Sequence, residues 1–198
     1  MNYTLDFDPV KHEYRLNGKV LPSITQICSP LNYEAAERSE AWRRDFAAKR
    51  GTLIHEAAVL VDFGEQLPDE FPDEFMGYVK GYVDFLRDFS PEWVLIEKPL
   101  VDKHAGIAGT PDRYGEINGR NIVLDIKTGT RIKHPFVAAQ LQGYAKLLAA
   151  NGYQTDERYC LHLDKSGIYT LYDMTDIAPI FNYLQFIEAH RSEKGRKI

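Results

Sequence analysis

Apolar and polar positions change period several times along this chain. The first 22 residues alternate like short strands, with Asn17-Gly18 between His12–Leu16 and Lys19–Leu21. An Asn-Gly pair between such runs predicts a two-residue hairpin turn. Pro22-Ser23 then breaks the pattern, and Ser23 and Thr25 suit a turn or a helix cap. From Glu34 to Phe63 the spacing is helical, in one or two pieces. Gly64–Pro72 is a polar, acidic loop with two prolines and is the best candidate for a mobile segment. Phe75, Tyr78, Tyr82, Phe85 and Phe89 recur at three- and four-residue spacing, which predicts a helix over Asp73–Phe89 with a core-facing aromatic stripe. Trp93–Val101 reads as a strand, and His134-Pro135 opens a helix to Ala150. Arg158–Leu163 and Ile168–Tyr172 read as strands, before a last helix over Asp176–Ala189 and a basic tail, Arg191–Ile198. Strands interleaved with helices predict an α/β fold, a central mixed β-sheet flanked by α-helices on both faces.

The richest stretch is Gly109–Lys127, GTPDRYGEINGRNIVLDIK. Two apolar runs flank Asn118-Gly119, so a hairpin with Ile117 facing Arg120 is expected. That register carries Asp112 opposite Asp125. Side chains alternate along a strand, so Lys127 shares the Asp125 face and Ile126 points the other way. Opposed carboxylates lie about 4.5–5.5 Å apart at Cβ and repel. A hard cation such as Mg²⁺ between them removes that penalty. A lysine beside it can hold a water or steady developing negative charge. The blander account is an exposed edge with a weak ion pair, worth about 0–1 kcal/mol. Against it, Ile122-Val123-Leu124 looks like a buried strand, and an acid and a base ending such a strand need partners.

At these residues the chain resembles the PD-(D/E)XK nuclease superfamily, in its RecB-like and phage-exonuclease branch. Pro111-Asp112 and Asp125-Ile126-Lys127 match the core pattern, with Asp125 where Glu is commoner. Gly51–His55 resembles the branch's GxxxH helix. Glu97 before Pro99-Leu100 resembles its acid on the preceding strand, and Gln140–Tyr144 its QxxxY helix. These elements occur in the family's order over residues 51–144, and the opening hairpin with Pro22-Ser23-Ile24-Thr25 also fits. The resemblance implies a restriction-endonuclease-like core and Mg²⁺ or Mn²⁺ held by His55, Asp112, Asp125 and the Ile126 carbonyl. It implies Lys127 as the catalytic lysine, Glu97 near the metal, and Gln140 and Tyr144 supporting the metal shell or the nucleic acid. The implied activity is exonucleolytic hydrolysis of DNA, in recombination, repair or phage DNA processing.

Taken alone, some of these residues stay ambiguous. His55 lies beside Ala57–Leu60, where a packed core histidine fits as well as a ligand. Gly51, one turn earlier, suggests close approach of another backbone. Arg38, Arg43, Arg44, Lys49 and Arg50 form either a solvated helix face or a phosphate contact. Thr128, Arg131 and Lys133 follow the site and suit either phosphate contacts or an ordinary loop.

Composition narrows the class without naming the chemistry. With 198 residues, 44% hydrophobic and 27% charged, one domain over 1–198 is expected, which the resemblance makes a nuclease domain with the hairpin in 1–22 and the core in about 34–190. No apolar run approaches a membrane span, and the N-terminus carries no signal pattern. Two cysteines cannot supply the four-cysteine iron–sulfur cluster of some RecB-like relatives, so none is expected, and a cytoplasmic location fits. A net charge of −5 argues against a general nucleic-acid coat, though not against a local basic channel. The expected partners are DNA ends and a recombination or replication protein, and oligomeric state is not legible. The rival readings are a structure-selective or single-strand endonuclease, a non-catalytic nucleic-acid-binding module, and a small-molecule phosphatase.

Overall fold

The computed structural model describes residues 4–9, 11–32, 41–178 and 180–194. The chain opens with three antiparallel strands in order, β1 (Leu5–Asp8), β2 (Glu13–Leu16) and β3 (Lys19–Leu21). Asn17 and Gly18 both take positive φ, 49° and 80°, as a type I′ turn requires, and Leu16 faces Lys19. The Ser23 hydroxyl accepts from the Gln26 amide at 3.1 Å while Gln26 Oε1 accepts from the Ser23 amide at 2.9 Å. That capping box starts the short helix α1 (Ile24–Cys28). A 3₁₀ turn, Ser29–Asn32, follows.

Helix α2 (Ala41–Asp62) comes next, then a 3₁₀ turn at Asp73–Phe75 running into α3 (Met76–Phe89). Four strands follow: β4 (Glu92–Ile96), β5 (Leu100–Asp102), β6 (Ile107–Gly109) and β7 (Arg113–Ile117). β8 (Arg120–Lys127), α4 (His134–Ala150), β9 (Glu157–Leu163), β10 (Tyr169–Asp173) and α5 (Ile180–Lys194) complete the order. The main sheet runs β10-β9-β8-β7-β4. β8 and β9 are parallel and every other neighbouring pair is antiparallel, so the sheet is mixed. A parallel pair needs a long crossover, and α4 supplies it.

Both faces of the sheet are covered. Ile122, Leu124 and Ile126 of β8 pack with Ile54, Ala58, Tyr78, Tyr82 and Phe85 of α2 and α3. Val123, on the alternate face, packs with α1, α4 and α5 through Ile24, Leu141, Leu147 and Phe181. The solid apolar run of β8 thus comes from a strand buried on both sides. In α4, a Cβ on Gly143 would stand 2.6 Å from Ile24 and 2.8 Å from Phe181, so glycine there lets three helices meet. Gly51 has no such role: among the described residues a Cβ on it would meet nothing within 4 Å, which corrects the close-approach reading.

Three expected elements shift. The strand expected over Trp93–Val101 splits, because β4 joins the main sheet while β5 pairs with β6 elsewhere. The helix expected over Glu34–Phe63 is seen as α2 from Ala41; residues 34–40, with Arg38, lie outside the described residues. The last helix starts at Ile180 instead of Asp176 and reaches Lys194, and the side chains of the tail Arg191–Ile198 lie outside the description. No described helix is long and apolar enough to cross a membrane.

Candidate active site

The β7–β8 hairpin sets the site. Asn118 and Gly119 have φ of 51° and 76°, and pairing runs without a bulge from Ile117↔Arg120 to Arg113↔Leu124. Asp112, one residue before β7, reaches across with Oδ2 accepting from the Ile126 amide at 2.6 Å. Both Asp112 and Asp125 are buried.

Helix α2 brings His55 onto this hairpin, anchored by buried Ile54, Ala57 and Ala58. His55 Nδ1 lies 3.0 Å from Glu97 Oε1 and 3.7 Å from Asp112 Oδ1, and Nε2 lies 3.2 Å from the Ile126 carbonyl oxygen. Both ring nitrogens therefore face acceptors, which only an imidazolium satisfies together. Glu97 arrives from the point where β4 ends. Its φ of 46° is left-handed, and its amide donates to the Asp112 carbonyl at 3.0 Å. A non-glycine residue held there costs about 1–3 kcal/mol, and such strain gathers where a side chain must be aimed. Ligand atoms of His55, Glu97 and Asp112 all lie within 4.8 Å of one another.

Asp125 stands beside that group. Lys127 Nζ is 2.6 Å from Asp125 Oδ2, a close ion pair in which the carboxylate is buried. Lys127 Nζ also donates to Gln140 Oε1 at 3.1 Å. Gln140 Nε2 in turn donates to the Tyr144 hydroxyl at 3.0 Å and the Thr25 hydroxyl at 3.2 Å. Gln140 and Tyr144, four apart on α4, thus stand behind the lysine.

Charge is concentrated here and partly held by protons. Burial opposes the His55 imidazolium, but Asp112 and Glu97 outweigh it and carry the pKa up to about 9. Burial lifts Asp125 to about 6 despite Lys127, with Asp112 adding to the rise. Burial also raises Asp112, against the pull of His55. Burial works against the Lys127 ammonium too, yet Asp125 and Asp112 hold its pKa above the usual value.

Sequence reasoning passed over a second layer. Arg113 is fully buried, with Nε 2.6 Å from Asp62 Oδ2 and Nη1 donating to the Asp112 carbonyl at 2.7 Å and to Glu97 Oε1 at 3.4 Å. Asp62 Oδ1 accepts from the Tyr82 hydroxyl at 2.8 Å and from Trp93 Nε1 at 3.1 Å. One clue was present: Asp62 follows His55 by seven residues, two helical turns, and so lies on the same face. Of the two turn or cap candidates, Ser23 is the cap, and Thr25 meets Gln140.

The basic candidates scatter. Arg50 Nε lies 3.5 Å from the buried Thr128 hydroxyl, and its guanidinium sits 5.8 Å from the Tyr78 ring. Arg43, two turns earlier, is exposed over the Trp42 ring at 5.2 Å. Arg131 and Lys133 are exposed in the loop after β8.

No known family profile and no curated protein sequence matches the chain. Among solved structures it is similar to an alkaline exonuclease, LHK-Exo, from Laribacter hongkongensis, at 13% identity over 86% of both chains with a TM-score of 0.45. LHK-Exo in complex with dAMP gives 13% identity over 88% of this chain and 92% of that one, with a TM-score of 0.36. The protein SSO0001 gives 18% identity over 82% of each chain and a TM-score of 0.37. These scores lie low for a shared fold, and the site stands on its own geometry.

The donor set suits a hard divalent cation. It combines one imidazole with the carboxylates of Glu97 and Asp112, the Ile126 carbonyl lying beside His55 and the Asp125 carboxylate standing nearby in its pair with Lys127. The residues therefore fit a hard divalent cation better than a soft metal, which would call for thiolates. Cys28 and Cys160 are free and buried.

Proposed function

We propose that this chain is a Mg²⁺- or Mn²⁺-dependent deoxyribonuclease that hydrolyses phosphodiester bonds from DNA ends. One observation carries the reading. His55, Glu97 and Asp112, from three separate elements, converge within 4.8 Å beside the Asp125–Lys127 pair. His55, Glu97, Asp112, Asp125 and the Ile126 carbonyl are the residues that would hold the ion. When bound, a divalent cation supplies Lewis-acid stabilisation of phosphate charge and a more acidic water.

The chain's own groups do the rest. Lys127 is held from two sides by Asp125 and Gln140, so its ammonium is aimed before substrate arrives. Its raised pKa keeps it charged at neutral pH, which suits orienting the attacking water and stabilising the oxygens of the scissile phosphate. Tyr144 and Thr25 hold Gln140, and through it the lysine. Thr128 follows Lys127 in the chain and Arg50 Nε lies 3.5 Å from its hydroxyl, and in this reading both contact neighbouring phosphates. Arg43, Arg131 and Lys133 serve as outer phosphate contacts. The end-directed choice, and a role in recombination, repair or phage DNA processing with a replication or recombination partner, rest on the resemblance of the four motifs. The two free cysteines fit work in a reducing cytoplasm.

The test is cleavage of end-labelled linear duplex and single strands, with closed circles alongside, in Mg²⁺, Mn²⁺ or EDTA. Metal-dependent loss of linear DNA, spared circles and an inactive Lys127→Ala variant are expected. Cut circles would replace this reading with an endonuclease. Binding of metal and DNA without any cleavage would replace it with a binding module.

A further inference from the structure

A cavity of about 300 Å³ opens on the other flank of α4. Gln142 and Lys146 line it, and two residues along a helix turn the side chain by more than half a revolution from the Gln140–Tyr144 face. Arg158 of β9 forms another wall, and Ile177, Phe181 and Asn182, at and before the start of α5, close it.

Its electrostatics are unbalanced. Two cations line the cavity, and among the described residues neither Lys146 nor Arg158 makes an ion pair. Lys146 Nζ donates to the neutral Gln185 Oε1 at 2.6 Å. Arg158 Nη2 donates to the Thr175 carbonyl, while its Nε is buried with no acceptor. Gln142 Nε2 donates to the carbonyls of Ile177 at 3.1 Å and Ala178 at 2.7 Å, and its Oε1 accepts from the Phe181 amide at 3.1 Å. That clamp fixes the first turn of α5 at the cavity, with the positive end of a fifteen-residue helix beside the two cations. Two cations line this one cavity and neither meets a carboxylate among the described residues, so an anion is the ligand their charge favours.

We propose that this cavity binds a small phosphate monoester, separately from the Lys127 centre. A monoester dianion matches two cations, and its oxygens suit the guanidinium fork and a lysine point charge. The volume lies at the low end for small-molecule pockets and suits a mononucleotide or smaller ester. The proposal does not rest on the nuclease reading, because the two sites share no side chain.

Calorimetric titration of the full chain in EDTA tests it, with orthophosphate, thymidine 5′-monophosphate and thymidine as probes. Saturable binding of the first two, with Kd of about 0.1–1 mM, and none of thymidine is expected. Lys146→Gln weakens binding about tenfold or more and Lys127→Ala leaves it unchanged. Arg158→Lys, checked by a thermal melt, retains the charge and loses the fork, so it binds more weakly than the parent. A 5′-phosphorylated tetrathymidylate separates two sources of the same group. Tighter, Lys146-dependent binding of that oligonucleotide supports the site with a strand end as its ligand, and equal binding supports it with the free ester. No saturable binding overturns the proposal, as does binding lost in Lys127→Ala and kept in Lys146→Gln.

Discussion

Removing Asp62 while leaving Arg113 in place should be among the costliest single changes in the molecule. Their side chains are 1% and 0% exposed, and the pair is 2.6 Å apart. Asp62→Leu strips the guanidinium of its nearer counter-charge, leaving Glu97 at 3.4 Å, and leaves the Tyr82 hydroxyl and Trp93 Nε1 without their acceptor. Breaking a buried pair from one side costs about 3–5 kcal/mol, because the surviving charge stays buried. The two orphaned neutral donors add about 1–3 kcal/mol each when they cannot relax, though such losses do not sum in one network. Against a total stability of about 5–15 kcal/mol, that is a large share. A loss of 3–5 kcal/mol should lower Tm by about 6–20 °C in a chain of this size. The assay is urea and thermal unfolding of Asp62→Leu, Arg113→Met and the double variant. The double variant should recover at least about 2 kcal/mol relative to the summed singles, because no charge is then stranded. Divalent-cation affinity should not recover with it, since Arg113 also holds the Asp112 carbonyl and Glu97. Summed losses that match the double within about 0.5 kcal/mol would refute the argument, showing that the pair is not coupled.

Other outcomes follow from the same geometry. Lys127→Met should lower cleavage by about 10²–10⁴-fold while divalent-cation binding, read by calorimetry, persists. Without divalent cation, stability should fall as pH rises. The His55 pKa is raised from 6.5 to about 9, so its contribution is full below 6.5 and lost through 9. Asp125 is raised from 3.8 to about 6, so the native state gains from its proton below that range and loses the gain as pH rises through 6. Thermal melts in EDTA from pH 4 to 9.5 should show both limbs, with His55 contributing up to about 3 kcal/mol and His55→Asn flattening the upper one. Added Mn²⁺ should restore stability at high pH, since a bound cation replaces the displaced protons. Gly143→Ala should cost about 1–3 kcal/mol by overpacking, measured by urea midpoint, since Ile24 and Phe181 stand 2.6 and 2.8 Å from the new methyl.

Local chemistry was legible in the sequence by itself. Asn17-Gly18 and Asn118-Gly119 dictated type I′ turns, because few other residues accept two successive positive φ values. The second turn fixed a register that put Asp112 within reach of the Ile126 amide, fourteen residues further along the chain. His134-Pro135 marked the start of α4 to the residue. Each of these rests on steric rules among neighbours, so a linear reading captures it.

Tertiary structure decided the partners. Glu97 meets His55 across 42 residues and Lys127 meets Gln140 from another element. The strand expected over Trp93–Val101 breaks at Glu97 because β4 and β5 serve different sheets, a competition between pairings that no local pattern records. Asp125 pairs with Lys127 while Glu97 takes the place beside His55 and Asp112, a choice made by which oxygens burial leaves within reach. Arg113 and Asp62, which no sequence pattern singled out, are among the most deeply buried groups, since a charge is stable inside only when folding delivers its partner. Residue types near one another in the chain set turns, caps and register; which charge neutralises which is settled only when distant elements pack and exclude water.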